Sequence, residues 1–263
     1  MTHPPAARAL LVSVLSVAGL LTTAGCSLDD GPRPRWFSAS ASATASAASP
    51  AAEQPPGSGS ALTQAQARAA LITEADLGEP WGPTQGARTW RDGLLKATTE
   101  DPECQRLLDT LYTEELFGAP RGPQATTGFD AADADVQLHY QVAAHPRADV
   151  DRGLDWLESL PGRCGRFTAA TTRGGVQEVR VDAMPLPPVG DARRALRVTL
   201  AGETEDGELT YLTVDLAGVR VAEEAITLTH AGLDEVYAEV TQQVVGMGAE
   251  RLAEIGDQGR KQV

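Results

Sequence analysis

A zinc hydrolase site built on one helix needs two histidines a turn apart with a glutamate between them, so that both imidazoles reach the metal from one face. Apart from His3, the histidines of this chain are His139, His145 and His230, and no two have that spacing. His139 falls on the polar side of an alternating segment. His145 directly precedes a proline suited to open a helix, and His230 reads as part of a strand-to-helix connection. Each is read as a solvated or structural histidine. A serine hydrolase of the elbow type would carry G-x-S-x-G at a strand-to-helix turn. Here the run Gly57-Ser58-Gly59-Ser60 lies in a linker-like stretch, and Ser159 reads as a surface residue near a helix end. An envelope hydrolase would need the fold to bring Ser159 or Thr168 to a histidine. Asp130, Asp133 and Asp135 lack the D-x-D-x-D-G spacing and the closing glutamate of a calcium loop, and a polar turn between strands accounts for them. No G-x-G-x-x-G follows a strand, and the Walker pattern is absent. Trp81 and Trp90 flank a Gly/Pro-containing stretch that could line a cleft, although packing is the simpler role for them and for Trp156. No catalytic residue, metal ligand or cofactor is expected, and the residues of any ligand site stay unassigned.

The cysteines say more. There are three, Cys26, Cys104 and Cys164, and an odd count outside the cytoplasm leaves one thiol to explain. Cys26 closes the small-residue stretch Thr22-Thr23-Ala24-Gly25-Cys26. Before it come an uncharged apolar run from Ala9 to Leu21 and, earlier still, Arg8. Positive start, apolar middle and small-residue end make an export signal. Thirteen apolar residues are too few for a permanent span, which needs about 20. The segment resembles the bacterial lipobox, in which the cysteine thiol receives a diacylglycerol and the signal is cut just before it. Thr23 departs from that pattern, which prefers leucine there. The alternative is an ordinary cleavable signal with Cys26 incidental. With Cys26 acylated, Cys104 and Cys164 are left to pair in an oxidising space; two separate buried thiols are the other possibility.

Residues 27–60 are dominated by Ser, Ala, Pro and Gly, with Leu28, Trp36 and Phe37 as the apolar side chains larger than alanine. Such a composition cannot bury enough surface to offset the entropy of ordering. As a disordered tether its 34 residues would span roughly 30–35 Å. Nothing after residue 26 is long and apolar enough to be a membrane helix. The net charge of −14 makes nucleic acid or an anionic surface an unfavourable partner.

From about residue 61 onward the hydrophobic period switches between that of helix and that of strand. Thr63 can cap a helix over Gln64–Ile72. Asp101-Pro102 opens another, with Leu107, Leu108 and Leu111 on one face. Val136, Leu138, Tyr140 and Val142 alternate with Gln137, His139 and Gln141, predicting a half-buried strand. Pro146 then starts a helix with Val150, Leu154, Leu157 and Leu160 inward, which Pro161-Gly162 should stop just before Cys164. Strands are predicted around Val179–Val181, Leu196–Leu200 and Leu212–Leu216, with Ala217-Gly218 turning the chain into Val219–Leu228. A long helix from about Asp234 to Ile255 closes the chain, weakened by Gly246 and Gly248. Grouped strands with helices before, between and after them give an α+β fold, a twisted and largely antiparallel sheet flanked by helices, as a single domain after the tether.

The order of these features resembles the PknH-type extracellular sensor domain of mycobacterial receptor kinases and stand-alone actinobacterial lipoproteins. The features are Leu77-Gly78 with Trp81, Cys104 followed by Leu107 and Leu108, the strand around Tyr140, the helix ending at Cys164, and Phe167. Pro185-Leu186-Pro187 and Val189-Gly190-Asp191 follow before the strand near Leu196, then Val214, Gly218-Val219-Arg220-Val221 and the last helix. The similarity spans about residues 62–255. It implies a sheet flanked by helices around a cleft for an unidentified ligand. Those kinase domains usually carry two disulfides where this chain can make one, and no kinase or membrane helix is present here. The expectation is a signal peptide over 1–25, a lipid-anchored linker over 26–60 and a sensor-like domain over 61–263. Held on the outer face of the cell membrane, that domain would bind a small molecule, lipid or wall fragment without converting it. The alternative is a protein that docks a membrane partner, and an envelope hydrolase is the third reading.

Overall fold

The computed structural model describes residues 62–203 and 207–261; the signal peptide, Cys26 and the linker fall outside them. Local chemistry starts the helices. Thr63 Oγ1 accepts from the Gln66 N–H while the Gln66 side chain accepts from the Thr63 N–H, a capping box that opens α1 (Gln64–Ala69). At the start of the short α2 (Glu74–Leu77) the Asp76 carboxylate accepts from both the N–H and the hydroxyl of Thr73. The Asp101 carboxylate accepts from the N–H groups of Glu103 and Cys104, and Pro102 takes the first position of α3 (Pro102–Thr113). Pro146 precedes α4 (Arg147–Arg163), and α5 (Ala238–Lys261) ends the described chain.

Nine strands form one sheet among the described residues: β1 (Trp81–Pro83), β2 (Ala97–Thr98), β3 (Gln124–Ala131), β4 (Val136–Ala144), β5 (Arg166–Thr171), β6 (Val176–Ala183), β7 (Ala192–Glu203), β8 (Leu209–Val221) and β9 (Glu224–Gly232). Their order is β1-β3-β4-β9-β8-β7-β6-β5-β2, and every neighbouring pair is antiparallel. The fold is therefore the α+β antiparallel sheet with flanking helices that the sequence predicts.

The period-two alternation of the strands divides the apolar side chains between two cores. On one face Val179, Val198, Leu200, Leu212 and Val214 pack under Leu107, Leu108 and Leu111 of α3 and Leu157 and Leu160 of α4. On the other, Leu138, Tyr140, Val219, Ile226 and Leu228 pack against Ala67 of α1 and Val244, Val245 and Leu252 of α5. Cys104, in the first turn of α3, and Cys164, at the end of α4, are joined in a disulfide with Cα atoms 5.6 Å apart.

Four local expectations are corrected. Gln64–Ile72 is not one helix, since α1 ends at Ala69. Pro161 does not stop α4, which continues to Arg163. Ala217-Gly218 is no turn: β8 runs through both, and the chain reverses at Ala222 with φ 54°. Glycine at 218 serves packing instead, because a Cβ there would lie 2.8 Å from Leu116 Cδ2, 2.9 Å from the Phe117 ring and 3.1 Å from Leu154 Cδ2. Finally, the polar side of β4 is wet only in part: His139 and Gln141 keep partial exposure, but Gln137 is 1% exposed. The segment 84–95 crosses that side and covers it, with Gln137 Nε2 donating to Thr84 Oγ1 and to the Gly86 carbonyl.

Candidate functional site

Several hollows of ligand size indent the described surface, among them one of about 440 Å³ beside Trp81, Pro80, Gln85 and Asp133, and the linings of three others differ in kind. The largest, about 720 Å³, lies between the end of α3, the segment 115–121 and the start of α4. Its cations already have partners: Arg121 and Arg152 share Asp149, and the Arg106 guanidinium sits 4.0 Å from the centre of the Trp156 ring. A second, about 540 Å³, is bordered by Arg193, Arg194, Glu158 and the turn before β7, and Arg194 donates to Glu158 at 2.7 Å. The third, about 420 Å³, is lined by Trp90, Leu94, Gln177 and Leu233 together with Gly93, Gly174, Gly175 and Gly202.

This third cavity is built from five elements on the α3/α4 side of the sheet. One wall is the π-helical turn Arg91–Leu95 with Trp90 at its head. Trp90 is 4% exposed, and its indole Nε1 donates to Asp135 Oδ1 at 3.2 Å, which fixes the ring. The opposite rim is the tight turn from β5 to β6, where Gly174 has φ +82° and Thr171 Oγ1 accepts from the Gly175 N–H. The floor is a cross-strand row, Gln177 of β6, Gly202 of β7 and Thr210 of β8. Gly202 leaves the middle of that row open, since a Cβ there would meet only Gln177 Cβ at 3.5 Å. Gln177 is 1% exposed; its Nε2 donates to the Leu94 carbonyl at 2.8 Å, and its Oε1 is buried with no partner. Volume, aromatic wall and a sparse set of placed polar atoms are the usual makings of a small-molecule pocket.

Behind Trp90 lies a polar cluster that resembles chemistry more than it permits it. Glu114 caps α3 in the left-handed region at φ 61°. Its carboxylate meets Arg91 Nη1 at 2.6 Å and His139 Nδ1 at 3.3 Å. A carboxylate orienting an imidazole is half of a nucleophile-activating arrangement. The space that His139 shares with Trp90, Glu114, Gln137 and Thr229 has no room for a water molecule, so no substrate atom fits beside the ring in this conformation.

The residues singled out in the sequence scatter. His145 packs edge-on against Phe117, ring centres 5.7 Å apart, and burial lowers its pKa, opposed by the nearby Asp149 charge. His230 is not in a connection but in β9, 1% exposed, with Nδ1 2.9 Å from Thr241 Oγ1. Thr241 in turn donates to Asp215, which holds Arg197 bidentately at 2.7 and 2.8 Å. Burial pushes the His230 pKa down to about 4, outweighing the Asp215 charge that raises it. Ser159 donates to the Trp156 carbonyl on its own helix, and Thr168 lies on β5. Asp130 belongs to β3, not to a turn. Its burial would raise its pKa, but hydrogen bonds from the Gln85 N–H, Gln137 and Thr84 outweigh that and lower it. Asp135 takes the Trp90 indole, so Asp130 and Asp135 fix the segment 84–90, while Asp133 and Asp135 lie in the expected turn between β3 and β4. Trp156 is 8% exposed and donates to Glu103, and Trp81 lies edge-on to His230 at 5.6 Å. Of all these residues only Trp90 lines the third cavity.

No protein-family model matches the chain, and no curated protein does. Among solved structures it is distantly similar to the extracellular domain of PknH from Mycobacterium tuberculosis, 13% identical over 74% of this chain and 97% of that one, with a TM-score of 0.42. It is also similar to a putative uncharacterized protein from Rhizobium leguminosarum, 12% identical over 51% of this chain and 98% of that one, with a TM-score of 0.25. At these scores the likenesses assign neither family nor function.

The residue that sequence reasoning missed is Gln177. A signal for it existed: extending the inward phase of Val181 and Val179 back by two places puts a glutamine where an apolar residue belongs.

Proposed function

We infer that this chain is a lipid-anchored binding protein of a bacterial envelope. An acyl group on Cys26 holds it to the outer face of the membrane, and its domain takes up a small molecule, lipid or wall fragment without converting it. The observation that carries the reading is the cavity of about 420 Å³ between Trp90 and Gln177. It has the size of a ligand site and an aromatic wall held in place by the Trp90–Asp135 hydrogen bond. The export signal ending in Cys26 supports the location, and none of the described helices is long and apolar enough to cross a membrane.

Native mass spectrometry of the chain purified from its own envelope tests the reading. The expected result is a reproducible added mass that denaturation releases and that a Gly202→Leu variant lacks. A bare chain, identical in mass before and after denaturation, sinks it.

One observation favours the second reading, a domain that docks a membrane protein. Val176, Leu209 and Tyr211 are 68%, 67% and 53% exposed, and the registers Glu178–Ala201 and Ala201–Tyr211 put them on one face at one end of the sheet. Exposed apolar side chains grouped in this way mark contact surfaces. Residue-specific crosslinking from Tyr211 in intact cells would capture a single defined partner if this reading holds.

A further inference from the structure

We propose that the open end of the sheet around Glu203 docks a protein segment that presents a lysine or arginine among apolar side chains. The inference rests on reading the exposed apolar group as a docking surface, and it names the chemistry of the partner.

The registers place the group side by side. Ala201 of β7 lies between Glu178 of β6 and Tyr211 of β8, and Glu203 lies directly opposite Leu209. Two places back along β6, the same register brings Val176 level with Glu203 on its other side. Side chains opposite each other on antiparallel strands have Cβ atoms about 5 Å apart, so Glu203 is set between two large apolar neighbours. Val179, Leu200, Leu212 and Val214, of the alternate phase, face α3 and α4, so these rows face the other side of the sheet. On that side α1 and α5 pack over β4, β9, Ala195 of β7 and the far end of β8, Ala217 to Val221. The rows at 201 and 203 lie beyond that core, and Val176, Leu209 and Tyr211 are each more than half exposed. A sheet face left to water carries polar side chains, and nearby this face does so. Arg166 meets Glu178 at 3.7 Å, and Arg180 meets Asp182 at 2.8 Å. The apolar group departs from that rule and marks a surface that another molecule covers.

Glu203 decides what covers it. It is exposed, and among the described residues it has neither a hydrogen bond nor an ion pair, not even with Arg173 of the neighbouring β5–β6 turn. Covering Val176 and Leu209 strips water from the carboxylate between them, a cost that a facing cation offsets. A second copy of this chain does not bring that cation. A two-fold contact centred here would set Glu203 against its own copy, on a chain of net charge −14. An anionic lipid surface repels the same carboxylate. A protein segment with a lysine or arginine set among apolar side chains supplies both the apolar cover and the countercharge.

The test puts a photo-crosslinking amino acid in place of Val176 or of Tyr211 in the full-length chain in intact cells, with and without Glu203→Lys. All three positions are exposed, and thermal melts of the purified variants check that the fold is kept. The expected result is one protein adduct common to both positions, whose crosslinked peptide contains a lysine or arginine. Its yield should fall roughly ten-fold with Glu203→Lys. Exchanging the partner's basic residue for glutamate should then restore the adduct of the Glu203→Lys chain, and failure to restore it overturns the inference. A protein adduct indifferent to Glu203→Lys overturns the charge pairing and leaves the docking surface standing. An adduct with a second copy of the chain or with lipid, or no adduct at all, overturns both.

Discussion

At the scale of single residues, two buried groups have consequences that can be measured. Thr241 gives its proton to Asp215, so its oxygen accepts from His230, which therefore carries its proton on Nδ1 and stays neutral. The folded pKa, about 4, lies below the unfolded value of 6.5. Protons thus bind the unfolded chain first, so the stability from neutral His230 is complete above pH 6.5 and is lost as pH falls towards 4. Between pH 7 and pH 5 the loss should be about 2 kcal/mol, read from urea midpoints, and His230→Asn should remove most of that difference. If both proteins lose stability equally, the histidine is not its source. Tyr140 offers a second case. Its hydroxyl is buried without a partner, and burial raises its pKa. Tyr140→Phe should leave stability unchanged or raise it by up to about 1 kcal/mol, since no bond is lost. Gly248 of α5 faces that hydroxyl so closely that a Cβ would overlap it. Gly248→Ala should therefore destabilise by about 1–3 kcal/mol, and Tyr140→Phe should recover part of the loss in thermal melts of the double variant.

At the scale of elements, the disulfide is the clearest case. It joins the first turn of α3 to the end of α4, two helices that cover one face of the sheet, and its cysteines are 60 positions apart. Closing such a loop is worth about 4 kcal/mol in the chain-entropy model. Replacing both cysteines by alanine should lower stability by up to that amount while the α1/α5 side keeps its protection, as hydrogen exchange would register. Uniform loss of protection over both faces would mean that the sheet transmits the change and that the two cores unfold as one. The π-helical turn 91–95 is the other element of consequence. It carries Trp90 and Leu94 to the cavity, and it is held by the Arg91–Glu114 ion pair and by Gln177 on the Leu94 carbonyl.

At the scale of the whole molecule, one sheet carries an unequal pair of faces. α5 and α1 cover the centre of one, while α3, α4 and the segment 84–95 cover the other and leave the Trp90 cavity where the π-helical turn meets the β5–β6 turn. The proposed anchoring belongs to this scale, because it would set where the domain works. Cys26→Ser should abolish incorporation of a labelled fatty acid and release the chain into the medium. Retention of label or of membrane association in that variant would place the attachment elsewhere.

Much of the fold was legible in local pattern. The caps at Thr63 and Asp101, the alternation from Val136 and the inward rows of α3 and α4 are statements about neighbours in sequence, and the chain obeys them. What failed were positions decided by distant partners. Gly218 looked like a turn and is a strand residue crowded by Phe117 and Leu154; Gln137 looked wet and is covered by a segment about fifty residues upstream. The cavity is of the same kind. Its floor and walls come from segments near 90, 174, 202 and 233, which no sequence period links. The sequence by itself determined the helix starts at Thr63, Asp101 and Pro146 and the α+β class, because each follows from local side-chain chemistry. Only the tertiary structure decided where space is left over, because empty volume is a property of how elements pack and is written in no single one of them.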